Sequence, residues 1–316
     1  MSGILAPFPA TPIQRLDSFC GRNELYMKRD DLLPFCFGGN KARIAAELVR
    51  DMLEKKATCM VAYGSTRSNL SRALACACSS LGVRCVVVSP SEQGGARPRS
   101  FNSTMVERLG AQVVPCDRGA VRETVASTLA RLRSDGERPY YIYGDETGHG
   151  NERVPVAAYE KVGAEISRQE AEMGFRFDAV YLATGTGMTQ AGLVCWNEGL
   201  GGGYRRRIVG ISVARLEEAA RAGVLEHVQA YLGRVPESPV EVLGGYLHGG
   251  YGQADEQERG TIASLFAKEG VPSDETYVGK AFDGMLRHLE TIRAEGRRVL
   301  FVHTGGAPLF FDDLER

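Results

Sequence analysis

Lysine is scarce in this 316-residue chain: of 38 basic residues only seven are lysines, so candidates for amine chemistry are few. They are Lys28, Lys41, Lys55, Lys56, Lys161, Lys268 and Lys280. An excess of one charge is also missing. A net charge of −1 gives no reason to expect nucleic acid or an anionic membrane as partner. No apolar run approaches the roughly 18 residues that span a bilayer. The start, Met1-Ser-Gly-Ile-Leu-Ala-Pro7, has no basic region followed by a long apolar core. A cytoplasmic protein without nucleic-acid or membrane partners is the expectation. Cys76 and Cys78 are close in sequence, but the other six cysteines are scattered and no ligand-rich cluster surrounds the pair. They read as reduced, buried thiols, and no metal site is expected.

What is present is an ordinary globular composition, 43% hydrophobic and 24% charged, in a chain long for one domain. The pattern alternates. Strands read at Cys59–Tyr63, Arg84–Ser89, Gln112–Pro115 and Tyr140–Tyr143. Helices separate them at Leu70–Leu81, around Met105–Leu109 and at Val121–Ser134, with a polar Gly/Pro loop over Pro90–Pro98. After the loop Gly144–Asn151 the pattern restarts: a helix from Val154 to Met173, then strands at Ala179–Ala183, Arg207–Val213 and Arg298–Val302. Gly199–Gly203 reads as a surface connection. Strands alternating with helices of this length predict an α/β protein of two lobes, with parallel twisted sheets flanked by helices.

Two stretches carry chemistry. Gly38-Gly-Asn-Lys41 ends a close-approach loop and opens an amphipathic helix, with Asn40 read as its N-cap and Ile44, Leu48, Met52 at helical spacing. A lysine amine there, if desolvated, loses its proton and can form an imine with a carbonyl. The other reading is a solvated lysine in a first helical turn, and the stretch alone leaves both open. The second is Thr184-Gly-Thr-Gly-Met-Thr-Gln-Ala-Gly192, which follows a strand and opens a helix. Strand, glycine turn and helix start aim backbone amides at one spot, where a phosphate fits; the bland alternative is a tight turn. No lysine follows as a Walker loop requires. Gln190 stands where a dinucleotide fingerprint wants a small residue, and the next strand ends Ile211-Ser-Val-Ala-Arg215 without an acid. A compact phosphomonoester suits the loop better. An imine-forming lysine with a cradle for one phosphate suggests pyridoxal 5′-phosphate.

Five segments in order resemble the D-cysteine desulfhydrase and 1-aminocyclopropane-1-carboxylate deaminase family of fold-type II, tryptophan synthase β-like enzymes. They are Lys28-Arg-Asp-Asp with Gly38-Gly-Asn-Lys41; Gly64-Ser-Thr-Arg-Ser-Asn69; Thr186-Gly-Met-Thr-Gln-Ala-Gly192; Thr276-Tyr-Val-Gly-Lys-Ala281; and His303-Thr-Gly-Gly-Ala-Pro308. The resemblance implies pyridoxal phosphate in an inter-domain cleft, a large cofactor domain of residues 1–50 and 161–316, a small α/β domain of 51–160, and a homodimer. It makes Lys41 the Schiff-base lysine and the base that moves the Cα proton. Ser68 and Asn69 would hold a substrate carboxylate at a helix N-terminus, with Asn69 also meeting the cofactor's phenolic oxygen and Ser68 sharing in catalysis. Gly185, Thr186, Gly187, Met188 and Thr189 would cradle the phosphate, and Thr304 would face the pyridine nitrogen. Tyr277 would act near the substrate and Tyr251 beside it, although both also read as tyrosines closing a core.

Departures from the pattern bear on substrate. Ring-opening deaminases of the family carry glutamate after the active-site tyrosine, where this chain has Val278. Arg67 replaces a glutamine and could bind a second anionic group on the substrate, or turn away to a surface acid. Ile44 replaces a basic residue. The implied activity is α,β-elimination from a small, β-substituted D- or L-amino acid through an aminoacrylate, giving keto acid and ammonia. A β-replacement synthase and a ring-opening deaminase are the alternatives; a nicotinamide oxidoreductase and an inactive binding protein come last.

Overall fold

The computed structural model describes residues 3–91, 99–200, 205–250 and 252–314. Along the chain, β1 (Ile13–Arg15) and β2 (Glu24–Arg29) precede α1 (Asn40–Glu54). Then come β3 (Cys59–Tyr63), α2 (Asn69–Leu81), β4 (Arg84–Pro90), α3 (Phe101–Arg108), β5 (Gln112–Cys116), α4 (Val121–Ser134) and β6 (Pro139–Tyr141). The long α5 (Arg153–Met173) leads to β7 (Ala179–Thr184), α6 (Met188–Gly199), β8 (Arg207–Ser212), α7 (Glu217–Leu232) and β9 (Glu241–Leu243). The chain closes with α8 (Glu256–Glu269), α9 (Val278–Thr291), β10 (Arg298–His303) and α10 (Ala307–Leu314).

Two compact units result. The first, residues 1–8, 34–36 and 41–155, carries a four-stranded sheet in the order β5-β4-β3-β6, parallel throughout. The second, residues 9–33, 37–40 and 156–316, carries six strands in the order β1-β2-β10-β7-β8-β9. There only the β1–β2 pair is antiparallel. Strands such as Ala179–Thr184 are buried along their whole length, which is why they read as unbroken apolar runs rather than alternating ones.

The boundaries fall at Asn40/Lys41 and Pro155/Val156, not at 50/51 and 160/161. The body of α1 therefore groups with the smaller sheet. Asp51 explains this locally: its carboxylate accepts a 2.6 Å hydrogen bond from Tyr140 Oη on β6 and pairs with Lys55. At the other boundary Asn151 Nδ2 donates to Tyr141 O at 2.9 Å, holding the chain to the first unit until α5 is under way. The strand expected over 140–143 ends at Tyr141, where Gly144 N donates back to Tyr141 O. Most of the loop expected over 90–98 and of the connection over 199–203 lies outside the described residues.

Candidate active site

In the second unit, three neighbouring strands of one parallel sheet, β2, β10 and β7, bring their carboxyl ends together, the edge where open α/β sheets bind ligands. From β7 the chain turns through Gly185-Thr186-Gly187 into α6. Gly187 caps α6 at φ +91°, and a Cβ there would stand 2.9 Å from Val224 Cγ2, so the turn requires glycine. A glycine cap offers no side chain to the first-turn amides of Met188 and Thr189, a setting that suits an anion. Gln190 is fully buried and serves the fold: Thr184 Oγ1 donates to its Oε1 at 2.7 Å, and its Nε2 donates to Glu241 O at 2.6 Å. That bridge from α6 to the sheet occupies the place a third small residue would have taken.

The loop before Lys41 is seated on the ends of β2 and β10. Gly39 N donates to Asp30 O (2.7 Å) and Asn40 N to Thr304 O (3.0 Å). A Cβ on Gly39, at φ +86°, would come within 2.6 Å of Thr304 O. Asn40 is the first residue of α1 rather than its cap; its Nδ2 donates to Thr189 Oγ1 at 2.9 Å. The residue bonded to Lys41 is thus tied directly to the glycine turn's helix. Thr304 is buried and flanked by His303, whose Nε2 donates to Pro272 O (2.9 Å) while its Nδ1 accepts from Gly305 N (3.2 Å). Burial lowers the His303 pKa, so the ring is neutral with its proton on Nε2, and it fixes the Thr304–Gly305 turn.

Tyr277 stands at the cap position of α9, half-buried against the second unit's apolar cluster. Asp274, fully buried, accepts from Thr276 N (2.9 Å) and Tyr277 N (2.7 Å) and so sets where that helix begins. Val278 lies inside the same cluster with no exposed surface. Lys28, the first residue of the motif, has a purely structural setting. It is buried, paired with Glu165, and donates to Gln169 Oε1 (2.8 Å) and Thr11 O (2.7 Å).

Apart from Tyr251, the other residues expected from the sequence lie in the first unit. Lys41 is half-buried, and burial, the only cause at work, pushes its amine down to about 8. Ser68 caps α2 through its Oγ, which accepts from Ser71 N at 3.1 Å. Asn69 opens that helix; its Oδ1 accepts from Asn102 Nδ2 (3.0 Å) and Arg72 NH2 (3.4 Å), which leaves its Nδ2 as the donor end. Arg67 is buried rather than on the surface, and its carbonyl accepts a second 3.0 Å bond from Asn102. Ser100 Oγ holds Thr66 O at 2.5 Å. The start of α3 therefore clamps the 66–69 turn at two points. A cavity of about 90 Å³ beside Ser68 is lined also by Ser65, Thr66, Ser71 and Ser89. Ile44 is buried among the apolar residues of α1. Tyr251 lies outside the described residues.

Sequence reasoning gave no part to Asp274 and Asn102 and quoted Asp30 and His303 only as members of motifs; all four are buried polar groups. Only Ser100-Phe-Asn-Ser103 carried a local signal, a capping box in which Ser100 and Ser103 bond reciprocally.

The fold is that of an α/β enzyme, and the chain belongs to the family of pyridoxal-phosphate dependent enzymes, which it matches over residues 2–305. A D-cysteine desulfhydrase of Yersinia enterocolitica is 32% identical, over 97% of this chain and 96% of its own. A 1-aminocyclopropane-1-carboxylate deaminase of Mesorhizobium japonicum is 30% identical, over 95% and 93%. The crystal structure of a homologue of that deaminase superposes with a TM-score of 0.83 at 27% identity, covering 98% of this chain and 94% of the other. The fold is therefore that of fold-type II, parallel sheets with flanking helices. An O-ureido-L-serine synthase shares it, with a TM-score of 0.72 at 18% identity, over 99% and 95% of the two chains.

Proposed function

We propose that the chain is a pyridoxal-phosphate lyase that removes a β-substituent from a small amino acid and releases a keto acid and ammonia, in the manner of a D-cysteine desulfhydrase. The residues fit the cofactor. The side-chain-free cap of α6 suits a phosphate, Asn69 Nδ2 suits a phenolic oxygen, and the Lys41 amine, lowered to about 8, suits an aldehyde. Bound pyridoxal phosphate supplies that aldehyde and a conjugated ring that takes up the electron pair left at a substrate's Cα.

In this reading Lys41 Nζ holds the cofactor, then accepts the proton from substrate Cα. The amide-rich start of α2 at Ser68–Asn69 binds the substrate carboxylate, with Ser68 Oγ at the reacting end. Gly185 through Thr189 hold the phosphate mainly through backbone N–H groups. Thr304 gives the pyridine nitrogen a neutral hydroxyl, which does not keep that nitrogen protonated as a carboxylate would. Tyr277 donates a proton at the departing β-substituent. Arg67 and Tyr251 complete the substrate side, Arg67 for a second anionic group. A homodimer working in the cytoplasm extends the same reading, and light scattering on the purified protein tests the dimer.

The observation that carries the reaction class is Val278. An apolar side chain sealed in the core follows Tyr277, so no acid there strengthens the electron sink, which suits departure of a good leaving group over opening of a strained ring. The test is keto acid release from D- and L-β-chloroalanine, D- and L-cysteine and 1-aminocyclopropane-1-carboxylate, alongside borohydride reduction and peptide mapping. Turnover of a β-substituted substrate with reductive label on Lys41 supports the proposal. A label elsewhere, no cofactor binding, or equally fast ring opening overturns it. Arg67→Gln should shift preference toward neutral substrates.

A further inference from the structure

Outside the groups assigned so far, the first unit holds a second reactive cluster. Cys36 and Cys76 are both half-exposed. Cys76 lies one helical turn beyond Arg72 on α2, so the two side chains share a face. Arg72 NH1 stands 3.5 Å from Cys36 Sγ and also donates to the Cys36 carbonyl. Cys36 Sγ also lies 3.9 Å from the Arg72 carbonyl, the carbonyl that Cys76 N–H meets within the helix, which seats the Cys36 sulfur at the Cys76 turn. Cys36 and Phe37 both adopt left-handed backbone, at φ 45° and 61°, uncommon for residues with side chains.

We propose that Cys36 and Cys76 form an oxidation site for hydroperoxides, Cys36 as the attacking thiol and Cys76 as the resolving one. The Cys36 thiolate attacks one peroxide oxygen; an S–O bond forms, the O–O bond breaks, and hydroxide leaves to be protonated to water. Cys76 sulfur then attacks Cys36 sulfur; the S–S bond forms, the S–O bond breaks, and the departing hydroxide takes the Cys76 proton. Two thiols and one hydrogen peroxide become one disulfide and two waters, the peroxide being reduced by two electrons.

The chemistry of the two sulfurs divides as these roles require. The Cys76 hydrogen bond, helped by the Arg72 guanidinium, holds the Cys36 thiol down to about 7 against the effect of burial. The same bond raises Cys76, keeping it a protonated partner. Elsewhere burial pushes Cys59 up to about 11, and a hydrogen bond to Cys85 raises Cys78. Oxidation would withdraw negative charge from beside Arg72, whose NH2 lies 3.4 Å from Asn69 Oδ1.

The test uses the full-length, cofactor-loaded protein with one equivalent of hydrogen peroxide, followed by alkylation and peptide mass mapping. The expected product is a disulfide between the Cys36 and Cys76 peptides, still formed in Cys78→Ser. Cys76→Ser should stop at a Cys36 sulfenic acid, trapped by dimedone, and Cys36→Ser should leave Cys76 reduced. Alkylation of Cys36 at pH 7 should run roughly tenfold faster than at Cys20 or Cys116. Preferential oxidation of Cys20 or Cys116, pairing of Cys36 with Cys78, or a Cys36 alkylation rate no greater than theirs would overturn the assignment. None of these readouts depends on the proposed lyase activity.

Discussion

The amine of Lys41 gives the sharpest prediction, because burial, with no compensating acid among the described residues, lowers it from 10.5 to about 8. At pH 7.5 an amine of pKa 8 is about one-quarter neutral, whereas an ordinary lysine is about one part in a thousand neutral. Cofactor-free protein treated with trinitrobenzenesulfonate should therefore label Lys41 with a midpoint near pH 8, read by peptide mass against Lys55 and Lys268. The same shift enters stability. Between pH 8 and 10.5 the folded chain has released this proton while the unfolded chain still holds it, so unfolding free energy rises with pH by about 3 kcal/mol across that window. Below pH 8 both states carry the charge and the folded state bears the full burden of burying it. Lys41→Met lacks this contribution. In urea titrations it should exceed the parent's stability most at pH 7.5 and lose that lead as pH approaches 10.5. A labelling midpoint near 10, or a stability difference flat across the window, would refute the claim that Lys41 is desolvated without a counter-ion.

Other perturbations follow from the turns. Gly187→Ala forces a Cβ onto φ +91° and to within 2.9 Å of Val224, so cofactor affinity should fall at least tenfold, roughly 1.4 kcal/mol, in a spectral titration. Asn102→Ala removes the donor held by both Arg67 O and Asn69 Oδ1; it should cost about 2–3 kcal/mol in urea and weaken cofactor binding together. Lys28→Ala leaves Glu165 buried without its ion partner and should cost about 3–5 kcal/mol, lowering soluble yield before it touches any catalytic constant.

The elements that could be read from sequence were those whose signal is local. Helix α4 spans Val121–Ser134 and strand β3 spans Cys59–Tyr63, as the apolar spacing predicts, because each buries the face its own residues encode. The close of α2 at Gly82, in left-handed backbone, was equally legible. The glycine turn before α6 could be read for the same reason: its geometry is a property of consecutive residues. Strands β1 and β2 carried weaker signals. β2 ends Met27-Lys28-Arg29, buried despite its charges, because Lys28 and Arg29 meet their carboxylates on Glu165 and Asp31. The grouping of α1 with the smaller sheet was illegible too, since the Asp51–Tyr140 bond joins residues 89 positions apart. For the candidate site, residue types were readable but orientation was not. Nothing local says that Asn40 turns its amide to Thr189 instead of capping its own helix, or that Asn102 decides which end of Asn69 faces outward.

The three buried or half-buried lysines show why a motif cannot assign chemistry by itself. Lys28 and Lys41 bracket one fourteen-residue stretch, yet Lys28 meets the carboxylate of Glu165, 137 positions away, and is fixed as half of an ion pair. Lys280 meets the carbonyls of Gln253 and Leu247 and lies 4.0 Å from Glu258 Oε2, so burial lowers its pKa while acids pull it back. Lys41 has burial alone. An acid partner offsets part of what a buried ammonium loses in solvation, whereas burial without one favours the neutral amine, and a neutral amine is the nucleophile. What distinguishes Lys41 is that no carboxylate among the described residues answers its charge, on a helix whose first residue is held by Thr304 and Thr189. The same logic separates Cys36 from the other thiols, with the sign reversed: there a guanidinium and an S–H donor favour the anion. Reactivity in this chain follows from which charges the fold withholds and which it supplies.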